Sequence, residues 1–113
     1  ADIVPGLNAA FAALREASEY LGEQAGTAPN NLGASSTDYL RLFAVVAIGC
    51  MWLKAAMKAN DALAAGSSEE TFYATKPVLA RFFVEQYVVE HSSLLAKVKT
   101  SADTIMALDV AAF

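Results

Sequence analysis

Apolar residues recur along the chain at helical spacing and nowhere alternate as a strand would. Leu7, Phe11, Leu14, Ser18, Leu21 and Ala25 follow one another at intervals of 4, 3, 4, 3 and 4. This is the seam of an amphipathic helix packed along one side. The spacing predicts a first helix over about 5–25, opened by Pro5 and closed by Gly26. The following GTAPNNLGASS lacks apolar rhythm and reads as the one real loop. Ser35 or Ser36 is positioned to cap a second helix over about 37–64, with Asp38 in its first turn. Gly66 closes that helix. Ser67-x-x-Glu70 has the form of a capping box and predicts a third helix after a turn of about three residues, which makes the second and third helices antiparallel neighbours.

In the third helix, Ala80, Val84, Tyr87, His91, Leu94, Val98, Ala102 and Ile105 keep the same rhythm, which extends the helix to about 107. Pro77 deletes one backbone hydrogen bond and predicts a kink or break between Tyr73 and Pro77. Thr100-Ser101 is a second point of interruption. The expected fold is all-α, an antiparallel bundle of three long helices, or four if the last is broken. Residues 1–113 read as a single domain.

The second helix raises a separate question, because YLRLFAVVAIGCMWLKAAMK (39–58) holds an uncharged run from Leu42 to Leu53 between Arg41 and Lys54. Spanning a bilayer takes about 20 apolar residues, and a run of roughly 10–14 is more often a core helix. No membrane span is therefore expected. Tyr39, Phe43, Val46, Cys50, Leu53 and Met57 form one stripe, and Val45, Gly49, Trp52 and Ala56 form another on a different side. A helix apolar nearly all round is buried on more than one face. Trp52 and its neighbours either complete the bundle core or meet another domain or subunit. On the second reading the interface candidates are Tyr39, Arg41, Val45, Gly49, Trp52 and Ala56, with Arg41 and Lys54 as the charged edges of the contact.

Composition narrows the functional classes. The chain is 56% hydrophobic with a formal net charge of −4, so it offers no basic stripe for phosphates and nucleic acid is not an expected partner. Cys50 is the single cysteine, which rules out an intrachain disulfide and is compatible with a cytoplasmic location. The opening ADIVPG lacks the charged and apolar regions of a signal peptide, and its lack of an initiator Met suggests a segment of a longer protein.

No self-contained chemistry is legible. His91 lies on the apolar seam, where a buried, hydrogen-bonded histidine is the ordinary reading, and no C-x-x-C-H motif supports haem. Glu85, Glu90 and Asp103 are not paired on an apolar face, and the Glu-x-x-His pattern of di-iron bundles is absent, so no metal is expected. Cys50 sits among Gly49, Met51 and Trp52 as a small packing residue. There is no G-x-S-x-G, no phosphate-cradling glycine loop and no dinucleotide fingerprint.

Three stretches carry a family resemblance: YLRLFAVVAIGCMWLKAA (39–56), FYATKPVLARFFVEQYVVEHSSLLAKV (72–98) and SADTIMALDVAAF (101–113). Together they resemble the extra C-terminal region of the longer acyl-CoA dehydrogenases akin to methylthiopropanoyl-CoA dehydrogenase. The distinctive parts are Tyr39 to Phe43, Trp52, the Lys76 to Phe83 segment and Met106 to Leu108. Ser101, Val88-Val89 and Pro77 depart from that pattern.

The resemblance implies a parent flavoenzyme that uses FAD and a glutamate base to remove hydrogens from the α and β carbons of an acyl-CoA thioester, usually as a homo-oligomer. The segments that bind FAD and carry the base lie upstream in that family. No catalytic, cofactor-binding or metal-binding residue carries over to this chain. Its implied partners are the catalytic domains of the same polypeptide, for which it would be a non-catalytic accessory domain. The competing reading is a free-standing helical interaction module.

Overall fold

A computed structural model describes residues 2–113 and contains no strand among them. Helix α1 spans Val4–Thr27, α2 Pro29–Ala64, α3 Glu70–Gln86 and α4 His91–Val98. A 3₁₀ turn over Val88–Glu90 joins α3 to α4, so the two act as one long helix with a bend. The expected all-α bundle of three long helices, the last one broken, is the observed fold.

Contacts between the helices set the register. Along α2, Tyr39 meets Ser18 and Gly49 meets Leu7, so α1 runs antiparallel to it. Ser35 meets Val98, Arg41 meets Glu90 and Gly49 faces Phe83, so the bent α3–α4 helix is antiparallel to α2 as well. Helices α1 and α3–α4 are parallel to each other, tied by Arg81 to Asp2 near one end and by Lys99 to Glu16 at 2.8 Å near the other.

Several boundaries differ from those the sequence predicts. The expected loop over 26–36 is a single residue, Ala28 (φ −145°, ψ 73°), between two helices. Pro29 explains the abrupt restart, because its ring presets a helical φ at a position where the N–H has no helical partner. Asn31 ties the corner together: its side-chain amide donates to Gln24 Oε1 at 2.7 Å, and its Oδ1 accepts the Ala102 N–H at 2.8 Å. Ser35 and Ser36 are consequently interior helical residues rather than caps. Ser35 is fully buried and donates to the carbonyl of Val98 at 2.7 Å, satisfying a helix-end acceptor of α4, while Ser36 donates to Gly33 O.

Gly66 turns with φ 79°, a conformation that suits a residue without Cβ. The capping box does not form. Ser67 Oγ accepts from the Glu69 N–H at 3.2 Å, and α3 starts at Glu70 with no side-chain cap.

Helix α3 passes through Pro77 unbroken, its neighbours held by packing against α2, and breaks instead at Tyr87. There Tyr87, Val88 and Val89 place three weak helix formers in succession. The helix also stops at Val98, short of 107. Thr100 Oγ1 donates back to Ala96 O, Ser101 Oγ accepts from the Asp103 N–H, and such local bonds compete with helix continuation. Residues 99–113 form turns, including a 3₁₀ turn at Val110–Ala112.

Helix α1 is rotated from its predicted seam. Leu7 is buried as expected, but its companions are Ile3, Ala10, Ala13 and Ala17, while Phe11 and Ser18 lie outside. An alanine row lets neighbouring helices approach more closely than Phe11 would allow.

The core is made of small side chains, and the largest that are fully buried are Leu42, Val88 and Val98. The molecule measures 67 × 30 × 16 Å, with a radius of gyration of 18.9 Å against about 13 Å for a compact chain of this length. The reason is the length of α2, about 54 Å at 1.5 Å per residue. Helix α1 begins beside Ala56 and Asn60, so the far end of the α2–α3 hairpin projects beyond it. The surface is 7442 Å², about 1,500 Å² more than a compact monomer of this mass exposes.

Candidate interaction surface

The six residues singled out on α2 fall into two groups. Val45, Gly49 and Ala56 are buried inside the chain. Gly49 marks the tightest point: a Cβ there would lie 2.6 Å from Leu7 Cδ2 and 3.1 Å from Val88 Cγ2. Three helices meet at this glycine because nothing projects from it.

Tyr39, Arg41 and Trp52 keep part of their surface. Tyr39 Oη lies 2.7 Å from Ser18 Oγ, whose own proton goes to Leu14 O at 2.8 Å, so Tyr39 is the donor. Arg41 forms a fork with Glu90, Nε to Oε1 at 3.0 Å and Nη2 to Oε2 at 3.3 Å. The hydrogen bond to the Glu90 carboxylate, then its charge, hold the guanidinium above its ordinary pKa. The pair clamps the bend in the third helix to α2. Trp52 packs its inner part against the core cluster.

The uncovered side of α2 carries a different row. Leu40, Phe43, Ala47 and Met51 are all exposed, at intervals of 3, 4 and 4. Gly33 and Ser36 continue the row towards the α1–α2 corner, and Lys54 and Lys58 continue it the other way. This row is as periodic in the sequence as the buried one. The buried side combines Leu42, Val45 and Val46 with Gly49, Ala56 and Ala59, and the last three mark where the helices approach most closely. A second exposed apolar row runs along α3 through Phe72, Leu79 and Phe82. The C-terminal turns expose Ile105, Met106, Leu108 and Val110 as well.

By length and composition α2 could cross a membrane, a test that the core helix of a bundle also passes. In this fold its inner side is occupied by the other three helices.

Chemistry of other kinds is sparse among the described residues. No group of three His, Cys, Asp or Glu side chains is placed to hold a metal ion. His91 and Cys50 are half-buried in separate places on the bundle. A shallow apolar groove of about 600 Å³ lies between α1 and α2, lined by Ser18, Leu21, Gly22, Leu32, Ser36 and Tyr39 among others. It has hydroxyls at its edge and no cation.

The sequence matches the family described as acetyl-CoA dehydrogenase C-terminal like over residues 1–109. No curated protein and no solved structure matches the chain. With the match covering nearly its whole length and the helical fold in place, the chain belongs to the acetyl-CoA dehydrogenase C-terminal-like family.

Proposed function

We propose that the chain is the non-catalytic accessory domain of an FAD-dependent acyl-CoA dehydrogenase, an enzyme of α,β-dehydrogenation of acyl-CoA thioesters. It packs on the catalytic body of the same polypeptide and shapes a homo-oligomeric assembly, in a cytoplasmic enzyme. The observation that carries this reading is the surplus of apolar surface on a chain of this family, in continuous helical rows rather than scattered residues. The α3 row of Phe72, Leu79 and Phe82, with the apolar C-terminal turns, suits contact with a catalytic body.

On this reading FAD binds in the catalytic region upstream of this chain. A pyrophosphate needs cations or a cradle of backbone N–H groups, and the α1–α2 groove supplies no cation. The expected result is a purified chain that is colourless and takes up no flavin when incubated with FAD. When it is co-expressed with the catalytic region encoded upstream, the two should co-purify, and Phe82→Asp should weaken the association. A yellow chain with stoichiometric flavin refutes the reading.

A further inference from the structure

We propose that the cleft between α2 and α3, beyond the start of α1, is the seat of the polypeptide that leads into Asp2. The inference rests on the accessory-domain reading, which places a catalytic region upstream, and it names where that region is joined to the bundle.

Helix α1 is seated between two rows of side chains. On α2 the row runs through Gly49, against Leu7, and Ala56, beside Ile3; on α3 it runs through Val84, against Gly6, and Arg81, paired with Asp2. Both rows continue past the start of α1 at helical intervals, as Asn60 and Ala64 on α2 and as Pro77 and Ala74 on α3. Helix α2 runs eight residues beyond Ala56, about 12 Å, and α3 begins eleven residues before Arg81, about 16 Å. Over that length two helices stand where the bundle elsewhere has three. Asn60, Ala64, Ala74 and Val78 are exposed there, Val78 at 66%.

The entering chain is aimed along this cleft. Ile3 is buried and Asp2 is held to α3 by Arg81, so the polypeptide meets the bundle at the mouth of the cleft. Because α1 is antiparallel to α2, the direction upstream of Asp2 is the direction of the hairpin turn at Gly66. Pro5 keeps α1 from running on straight, since its ring would press on the carbonyl four residues back. The leading segment is therefore extended, and at about 3.3 Å per residue four or five residues fill the open length. Asn60 offers its main chain a side-chain donor and acceptor, and Val78 and Ala74 offer an apolar wall to one of its side chains.

No other part of the described chain reaches the cleft. The C-terminal turns are tied at Ala102 to Asn31, about 43 Å along α2 from Asn60, and the eleven residues after Ala102 span at most about 40 Å fully extended. A segment tethered at Asp2 also needs no encounter from solution, so a small contact suffices to hold it.

Hydrogen–deuterium exchange tests the seat by comparing the 113-residue chain with one extended by the residues, about ten, encoded immediately before Ala1. The expected result is exchange about tenfold slower over 60–65 and 73–76 in the extended chain. Val78→Glu should remove that gain and leave the 113-residue chain unchanged, because Val78 is exposed and glutamate is a good helix former.

Equal exchange in the two chains overturns the proposal, as does protection that Val78→Glu leaves intact. Protection confined to the full-length parent means that the catalytic body covers the hairpin, which overturns it too. A parent that incorporates FAD while the extended chain gains no protection ends this proposal and leaves the accessory-domain reading standing. A natural chain with no region upstream of Ala1 ends both.

Discussion

Gly49 offers the sharpest test of how the three helices are packed. Replacing it with Ala has two opposed effects. Alanine in a helix interior is favoured over glycine by about 1 kcal/mol. Against this, the new Cβ would stand 2.6 Å from Leu7 Cδ2 and 3.1 Å from Val88 Cγ2. Leu7 and Val88 are 5% and 1% exposed, so neither methyl has open space to enter. Overpacking of this kind costs about 1–3 kcal/mol, which leaves a net loss of about 1 kcal/mol.

Gly22, in α1, is the control, because a Cβ there meets nothing within 4 Å. Gly22→Ala should keep the full gain of about 1 kcal/mol. The two variants should therefore differ by about 2 kcal/mol, or about 8 °C in Tm for a domain of this size. Thermal unfolding followed at 222 nm measures it, with the two variants compared at the same chain concentration so that any association affects both midpoints alike. If Gly49→Ala proves as stable as Gly22→Ala, close approach at Gly49 is not what holds α1 and the bend against α2.

Ser35→Ala removes the donor to the Val98 carbonyl in a buried site, so a loss of about 1–2 kcal/mol is expected in urea titrations with the m-value unchanged. Arg41→Gln should leave Tm nearly unchanged while accelerating amide exchange over Tyr87–His91, because the Glu90 fork holds the bend locally; exchange no faster than wild type would remove that role. The Asp2 carboxyl is held below its ordinary value of 3.8, chiefly by the hydrogen bond from Arg81. A depressed carboxyl pKa stabilises above the unfolded value and is lost as pH falls through the folded one, so any advantage over Asp2→Asn should begin to fade as pH drops below about 3.8 and be gone once the folded carboxyl is protonated. Lys99 is raised above 10.5, chiefly by its hydrogen bond to Glu16, so its contribution holds below that pH and should fade as pH climbs past it, as Lys99→Met would show by comparison.

The site was only partly legible in the sequence. Both rows on α2 are apolar and both are spaced for a helix, so periodicity alone could not say which one faces α1 and α3. The buried side contains Gly49, Ala56 and Ala59, and close approach selects small residues; the open side contains Leu40, Phe43 and Met51. The buried side also holds Leu42, Val45 and Val46, so hydrophobicity does not separate the two sides, and the three small residues set how closely the helices approach. On α1 the alanine row is inside and Phe11 is outside.

The all-helical class, the antiparallel pairing of α2 with α3 and the excess of apolar surface were determined by the sequence. They follow from local spacing, a short connection and composition, none of which needs distant contacts. Tertiary structure decided the rest. It reduced an eleven-residue loop to Ala28 because Asn31 could bridge Gln24 and Ala102. It moved the break in the third helix from Pro77 to Tyr87, and it drew Ser35 from a cap into the core as the partner of Val98. Each outcome depends on residues at least 60 positions apart or on contacts with a neighbouring helix, and a local pattern carries no information about either.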